Sequence, residues 1–255
     1  MTRTKNKIAL VTGGSRGLGK NMALQLATTG FDVVITYHSK KQEAEQTVNE
    51  IKSNGRKALA LQLDVAQTGT FDAFVSQLRA ALTKEFQAEQ IDAVVNNAGS
   101  GLHASFSDTT PEQFDNMVNI HLKAPFFLSQ KLLTLLNDGG SVVNISSGLA
   151  RFSFPGYAAY GTMKGAVETL TKYQAKELGA RKIRVNVVAP GAIETDFGGG
   201  AVRDNKELNT MISSLTALGR VGVADDIGSV VAFLCSDEAR WVNAQRIEVA
   251  GGIFI

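Results

Sequence analysis

The feature that most constrains the fold is a regular alternation of short apolar, β-branched runs with longer segments of helical spacing. The apolar runs cover residues 7–12, 32–37, 57–65, 92–97, 141–146, 183–189 and 246–249. Few polar residues interrupt these runs, which is typical of parallel strands that are covered on both faces. Because crossovers between parallel strands are right-handed, the pattern predicts an α/β fold with three αβα layers.

Between the predicted strands, apolar residues recur at helical spacing. The predicted helices cover residues 21–29, 40–54, 71–86, 111–136, 157–178 and 227–234. Pro111 suits a first helical turn, since the N–H that proline lacks would be unpaired there. Pro125 is expected to kink the same helix. The single cysteine, Cys235, cannot form an intrachain disulfide and is predicted to be a buried thiol.

The composition is ordinary for one globular unit, with 255 residues, 44% hydrophobic residues and a net charge of +2. We expect a single domain over residues 1–255. The near-neutral charge gives no electrostatic reason for a nucleic-acid or membrane partner. No run approaches the roughly 20 apolar residues of a membrane span, so we expect a cytoplasmic protein. The three histidines lack the spacing of metal ligands, and no metal is expected.

One segment breaks the alternation between strands and helices. Residues 192–218 carry many polar side chains and three consecutive glycines, and they lie between the sixth strand and the last helix. A long insertion in a compact domain is usually a lid or a binding loop. The alternative is a surface excursion that contacts no ligand. We expect a lid.

The first predicted strand ends in a glycine-rich turn that leads into a helix. Gly13, Gly17 and Gly19 permit a tight turn and a close approach of a pyrophosphate. The start of the helix adds unpaired N–H groups and the positive end of the helix dipole. In the order strand, turn and helix, this pattern predicts a dinucleotide site.

The residues after the second strand indicate which dinucleotide binds. A site for NAD usually offers a carboxylate there to the ribose 2′-hydroxyl, whereas this chain has no acidic residue before Glu43. Arg16 and Ser39, with His38 or Lys40, could hold a 2′-phosphate instead. The residues therefore favour NADP(H) over NAD(H). The alternative for the lysines at this point is that they only decorate an exposed helix start.

Three further residues suggest acid–base chemistry. Tyr160 and Lys164 are four residues apart and share one face of a predicted helix. A nearby ammonium group stabilises a phenolate and lowers the pKa of the tyrosine from about 10. Ser147 closes the fifth strand, at the sheet edge where ligands bind in this architecture. A serine at that edge could hydrogen-bond a substrate carbonyl.

Six motifs together resemble the short-chain dehydrogenase/reductase family, in the right order and across nearly the whole chain. They are Thr12-Gly13-x-x-x-Gly17-x-Gly19, Asp64-Val65, Asn96-Asn97-Ala98-Gly99, Ser147, Tyr160-x-x-x-Lys164 and Pro190-Gly191. The resemblance implies a single Rossmann-like domain with a seven-stranded parallel sheet. It also implies an oxidoreductase that uses NAD(P)(H) to interconvert a carbonyl and an alcohol.

The resemblance also assigns roles to residues. Tyr160 would give its proton to the carbonyl oxygen, Ser147 would orient that carbonyl, and Lys164 would lower the tyrosine pKa and bind the nicotinamide ribose. The implied cofactor-binding set comprises Gly13, Ser15, Arg16, Gly17, Leu18, Gly19, Tyr37, His38, Ser39, Asp64, Val65, Asn97, Ala98, Gly99, Tyr160, Lys164, Pro190, Gly191, Ile193 and Thr195.

One position departs from the family pattern. Where the family commonly has an asparagine that completes a proton relay to the lysine through a water, alignment places His121. Imidazole both donates and accepts and titrates near neutrality, so His121 could replace that asparagine as a catalytic residue. The alternatives are a hydrogen-bonded core histidine without a relay role, and a shifted register in which Asn119 serves instead.

The residues expected around the nicotinamide are largely apolar and aromatic. The predicted substrate set is Leu102, His103, Leu149, Phe154, Tyr157 and Phe197. Such a pocket favours a small to medium apolar ketone or aldehyde. A 3-oxoacyl-thioester reductase and an NADP-binding sensor or scaffold with little turnover are the alternatives. Arg151 could attract an anionic substrate tail or be an ordinary surface arginine.

The resemblance further implies self-association. In the family, the last strand and the fourth and fifth helices often form subunit contacts. We therefore expect a homotetramer, with a homodimer as the alternative.

Overall fold

The computed structural model describes residues 6–255, and residues 1–5 of the predicted domain lie outside this range. Seven parallel strands form one sheet in the order β3-β2-β1-β4-β5-β6-β7. They are β1 Ile8–Val11, β2 Asp32–Tyr37, β3 Ala58–Gln62, β4 Ile91–Asn96, β5 Leu136–Ile145, β6 Arg184–Pro190 and β7 Arg246–Val249. The predicted α/β fold with a seven-stranded parallel sheet is confirmed.

Helices connect the strands. Those found within residues 6–255 are α1 Gly17–Thr28, α2 Lys41–Ser53, α3 Phe71–Ala81, α4 Pro111–Val118, α5 Ala124–Leu132, α6 Ala158–Glu177, α7 Ala201–Asp204, α8 Lys206–Ser214 and α9 Asp225–Cys235. None of the helices in this range is long and apolar enough to cross a bilayer.

Two hydrophobic cores lie on opposite faces of the sheet. Helices α1, α2 and α9 cover the face to which Val11 points, and α3, α5 and α6 cover the face of Leu10. Successive strand residues therefore enter different cores, as the two-residue period of a strand requires. Both faces are buried, which explains why the strands carry so few polar residues. The three predicted layers are present, and Cys235 is a buried free thiol.

The helix predicted over residues 111–136 is interrupted. A π-helical turn, Asn119–Lys123, separates α4 from α5. Pro125 follows directly, in the first turn of α5. Proline cannot donate to the carbonyl four residues earlier, which is that of His121, and its ring crowds this carbonyl. The expected kink is therefore a wider turn that places His121 at its centre.

Other boundaries also differ from those predicted, and three have a clear local cause. Helix α1 starts at Gly17, because its first turn is part of the glycine-rich turn. Strand β3 ends at Gln62, and the Asp64 carboxylate then accepts from the N–H of Ala66 at 2.9 Å in a turn. Strand β5 starts at Leu136, five residues early, since a bulge at two glycines lets the chain continue beside β4.

The strand order places the functional edge of the sheet. Strand β1 has β2 on one side and β4 on the other, so the connections after β1 and β4 depart in opposite directions. Such a switch point leaves a crevice beyond the carboxyl ends of the strands. The glycine-rich turn follows β1, Asn97 follows β4, Ser147 follows β5 and Gly191 follows β6.

Candidate active site

One cavity of about 700 Å³ opens at this crevice. Every residue of the predicted catalytic, cofactor-binding and substrate sets lines it. The fold therefore brings together residues that are spread over 185 positions of the sequence, from Gly13 to Phe197. In the part of the chain that the structure describes, no group of three or more His, Cys, Asp or Glu side chains could hold a metal ion.

The Lys164 side chain is buried and lines the cavity. Its Nζ donates to the Ile145 carbonyl at 2.8 Å and lies 5.3 Å from the centre of the Tyr160 ring. The four-residue spacing on α6 produces this proximity. Burial lowers the pKa of Lys164 to about 7. The ammonium and the neutral amine are thus both accessible near neutral pH.

Tyr160 presents a protonated phenol to the cavity. Burial raises its pKa above the ordinary value, and a hydrogen bond with the Ser147 side chain opposes part of that rise. Ser147 stands directly after β5, where its Oγ accepts from the N–H of Leu149 at 3.2 Å. The hydroxyl groups of Tyr160 and Ser147, on separate elements, can thus both hydrogen-bond one substrate oxygen.

His121 is buried beside Tyr160, with the two ring centres 5.1 Å apart in an edge-to-face arrangement. Burial, and then the charge of Lys164, lower the pKa of His121 to about 3. The expectation that this imidazole titrates near neutrality therefore does not hold. The Nε2 atom donates to the Ser100 carbonyl at 2.7 Å, so the neutral ring carries its lone pair on Nδ1. No donor to Nδ1 is found among residues 6–255.

A second cavity of about 20 Å³ shares several lining residues with the first. Lys164, His121, Asn96 and Thr12 are among its lining residues, whereas Asn119 borders neither cavity. A single water requires about 10–15 Å³ and two or more polar partners. This space can therefore hold one water between His121 and Lys164.

The glycine-rich turn fits a pyrophosphate. Asn97 Nδ2 donates to the carbonyl oxygens of Thr12 and Gly13 at 2.9 and 3.3 Å, which ties the turn to the end of β4. Gly13 has a φ of +68°, and a Cβ on Gly19 would overlap the Gly13 carbonyl oxygen. The first turn of α1 contains no acidic residue, so its unpaired N–H groups face the cavity without a competing anion.

Cations gather where the adenosine ribose would lie. The guanidinium of Arg16 is 3.9 Å from Glu43 and 3.5 Å from Asp196, and half of its side chain is exposed. His38 lies 3.7 Å from Asp64. Lys40 lines the cavity, whereas Lys41 pairs with Glu45 outside it and only decorates the helix start.

Several cavity residues were missing from the sequence-based set. They include Leu208, Ile212, Leu215, Ile253 and Phe254. The first three come from the segment predicted as a lid, and their spacing of four and three residues is that of one helix face. This spacing could have identified them. Nothing in the sequence brings the other two to the cavity.

Arg151 does not project into the cavity. Its Nε forms an ion pair with Glu248 at 2.8 Å, and its terminal nitrogens donate to the carbonyls of Ile253 and Phe254 at 2.7 and 3.3 Å. These contacts do not fit an attractor for a substrate tail. Arg151 is exposed at the surface, as the alternative has it, and the three contacts hold it in place.

Comparison with known proteins agrees with this geometry. The family described as Enoyl-(Acyl carrier protein) reductase matches residues 13–253. A hydroxynaphthalene reductase-like protein, Arp2 of Metarhizium brunneum, is 37% identical over 96% of this chain and 94% of its own length. The versicolorin reductase stcU of Emericella nidulans is 36% identical over 99% of this chain and 97% of its own length.

Solved structures agree as well. The angucycline C-6 ketoreductase LanV, determined with bound NADP, is 36% identical and superposes with a TM-score of 0.92 over 96% of this chain and 95% of that one. The fold, the placement of the motifs and these relatives lead to one assignment. The chain belongs to the short-chain dehydrogenase/reductase family of oxidoreductases, which act on C=O and CH–OH groups.

Proposed function

We propose that the protein reduces a ketone or aldehyde to an alcohol with NADPH, reversibly, and that Tyr160 is the acid. The observation that carries this proposal is the packing of Tyr160, Ser147 and Lys164 against one cavity whose other end fits a dinucleotide. Relatives named as reductases of hydroxynaphthalene, versicolorin and angucycline compounds support it.

Each catalytic group has a separate task in this mechanism. NADPH, when bound, supplies a hydride to the carbonyl carbon. The Ser147 hydroxyl hydrogen-bonds the carbonyl oxygen and orients it, and Tyr160 gives its proton to that oxygen. The nearby Lys164 ammonium stabilises the phenolate that remains. In the oxidation direction the phenolate takes the proton back.

His121 serves in the proposal as an acceptor for a water. His121 and Lys164 both line the small cavity, and Nδ1 of the imidazole is free to accept, since no donor among residues 6–255 reaches it. We infer that one water there links the two side chains. With a pKa of about 3, the imidazole stays neutral and positions this water rather than carrying the proton itself.

The cofactor preference follows from charge. Arg16, Lys40, Ser39 and His38 line the ribose end of the cavity, and a 2′-phosphate there would gain charge-assisted hydrogen bonds. NADP(H) is therefore preferred over NAD(H). Solved relatives that contain NADP or NADPH support this preference.

The substrate is a small to medium apolar carbonyl compound, and a ring ketone fits best. Aromatic side chains form much of the pocket wall: Phe152, Phe154, Tyr157, Phe197 and Phe254. Flat rings pack well against such walls. The 3-oxoacyl thioester is the alternative substrate, since the matching family is described by an acyl-carrier reaction. A sensor or scaffold with little turnover is the second alternative.

The proposal includes self-association into a homotetramer, with a homodimer as the alternative. Aromatic residues Phe114 on α4 and Phe126 and Phe127 on α5 each remain at least 40% exposed. Apolar surface of this kind is commonly covered by another subunit.

The first test measures NADPH and NADH oxidation with a panel of ketones, aldehydes, quinones and 3-oxoacyl thioesters. Tyr160→Phe should lower kcat by about a hundredfold or more, as expected for loss of a general acid, while the NADPH Kd changes only a few-fold. Tyr173→Phe is the matched control, because Tyr173 is an exposed tyrosine on the same helix. Equal activity of Tyr160→Phe and the wild type would refute the assigned acid. Tight NADPH binding without turnover on any compound would favour the sensor.

The second test addresses the cofactor preference. Arg16→Ala should raise the NADPH Kd by about tenfold or more, since a hydrogen bond between charged groups contributes roughly 1.5–3 kcal/mol. The NADH Kd should change much less. Lys41→Ala is the control, because it removes one nearby positive charge that does not line the cavity. Equal weakening of both cofactors by Arg16→Ala would make the arginine structural.

A further inference from the structure

The far wall of the substrate pocket is built by a short segment after β7. Ile253 and Phe254 line the cavity together with residues of α8. The segment pairs with the end of the predicted lid through an antiparallel bridge between Thr216 and Ile253. The N–H of Leu218 donates to Gly251, and that of Phe254 to Leu215, at 3.0 and 3.2 Å.

Arg151 connects this segment to the turn that follows Ser147. It stands four residues after Ser147, at the end of the short helical turn Gly148–Ala150. Its guanidinium bonds Glu248 on β7 and the carbonyls of Ile253 and Phe254 together. The three bonds use three different nitrogens of the planar guanidinium fork, whereas a lysine ammonium would present all its donors from one atom.

The contacts of Arg151 with Glu248, Ile253 and Phe254 form a clamp, and aromatic side chains connect this clamp to the cavity wall. The Phe152 ring packs 4.7 Å from the Phe254 ring, and the Arg151 guanidinium lies 5.5 Å from the centre of Phe152. A Cβ on Gly148 would come within 2.8 Å of the Phe152 ring, so this ring cannot retreat toward Gly148. Any movement of Phe254 therefore changes the width of the pocket.

From these contacts we propose that Arg151 is a positioning residue that sets the size of the substrate the pocket accepts. The inference rests on the carbonyl reduction proposed above. Arg151 itself does not line the cavity and takes no part in proton transfer. It acts through Ile253, Phe254 and Phe152. Loss of the clamp frees the wall and widens the pocket.

The chain contains a matched control for this clamp. Arg181 also bonds one carboxylate, that of Asp138, and two backbone carbonyls, those of Leu133 and Leu136. Its side chain is 34% exposed, against 38% for Arg151. Arg181 does not line the cavity. Arg181→Ala therefore removes the same kinds of bond far from the pocket wall.

The test compares Arg151→Ala, Arg151→Lys and Arg181→Ala with the wild type. The probes are cyclohexanone, β-tetralone and phenanthrenequinone, which differ in ring number. For Arg151→Ala, the ratio of kcat/KM for the largest to the smallest probe should rise about tenfold, mainly through KM. The NADPH Kd and the pH profile should not change. Arg151→Lys should resemble Arg151→Ala, because one ammonium cannot replace the fork.

A second readout does not depend on turnover. Amide hydrogen exchange at Ala217, Leu218 and Phe254 should accelerate in Arg151→Ala and stay unchanged in Arg181→Ala. Exchange that is the same in both variants would overturn the positioning role. A uniform loss of kcat for all three probes would overturn it as well. A wild type that reduces no probe, with faster exchange in Arg151→Ala, would refute the proposed reaction but not the clamp.

Discussion

Among single residues, Lys164 connects the proposed reduction to pH. In that mechanism the ammonium form stabilises the Tyr160 phenolate, and burial lowers the pKa of Lys164 to about 7. As pH rises through this value, the fraction of ammonium falls. We predict that kcat/KM for reduction falls above neutral pH, with a limiting slope of about tenfold per pH unit. This parameter is the one to measure, because it follows the ionisation of groups in the free enzyme.

Initial rates from about pH 5.5 to 9, with the NADPH Kd measured at each pH, check this prediction. A constant Kd would assign the decrease to the chemical step. A rate that increases across the same range would contradict the role of the ammonium.

The buried His121 side chain makes the free energy of unfolding depend on pH. Its pKa is 6.5 when exposed and about 3 in the fold, so the unfolded chain binds more protons between these values. Stability from this group is complete above pH 6.5 and is lost as pH falls toward 3. The quantity to compare is the fall in the free energy of unfolding between about pH 6.5 and 4.5. We predict that this fall is roughly 2 kcal/mol larger in the wild type than in His121→Asn.

Urea unfolding at several pH values measures this difference. His103→Asn, which removes an exposed imidazole, is the control substitution. Parallel slopes for His121→Asn and the wild type would show that His121 does not titrate in this way.

The sequence predicted the position of these residues better than their state. Spacing alone placed Tyr160 and Lys164 on one helix face, and motif order placed His121 beside them. The pKa of His121 could not be predicted, because it depends on burial among residues distant in sequence. The contacts of Arg151 could not be predicted for the same reason, since its three partners lie about 100 residues away in the sequence.

Among the elements, the first turn of α1 leaves no room for a side chain at position 19. A Cβ on Gly19 would overlap the Gly13 carbonyl and come within 2.5 Å of Asn97 Nδ2. We predict that Gly19→Ala destabilises the protein by about 1–3 kcal/mol and weakens NADPH binding.

Thermal unfolding and cofactor titration test this prediction. Gly165→Ala, within α6, is the control because nothing lies within 4 Å of a Cβ at that position. It should be neutral or stabilise the protein by up to about 1 kcal/mol. Similar behaviour of the two variants would refute the packing argument.

Element types were easier to predict than their interruptions. The alternation of runs predicted every strand, since burial on both faces leaves a strong hydrophobic signal. The π-helical turn Asn119–Lys123 and the bulge of β5 were not predicted. Both are local departures that depend on neighbouring elements. Helix α8 was missed as well, because its polar residues outnumber the apolar ones whose spacing indicates a helix face.

At the scale of the whole molecule, the uncovered aromatic side chains predict assembly. We expect light scattering to give four times the mass of one chain, and Phe126→Arg to lower this mass, because a buried charge without a partner is costly at an interface. Phe106→Arg is the control, since Phe106 is an exposed loop residue outside α4 and α5. A wild type that is monomeric at micromolar concentration would contradict the assembly.

The close contact between Gly99 and His121 limits how the chain can change. A Cβ at position 99 would lie 2.8 Å from Cε1 of the imidazole, so any larger residue there requires a smaller one at position 121. The effect of a substitution at position 99 therefore depends on the residue at position 121. The smaller residue at position 121 has to come before the larger one at position 99. In a library that randomises both, Gly99→Ala should survive only with a smaller side chain at position 121. An evolutionary path between histidine and asparagine at the relay position is open only while Gly99 is retained.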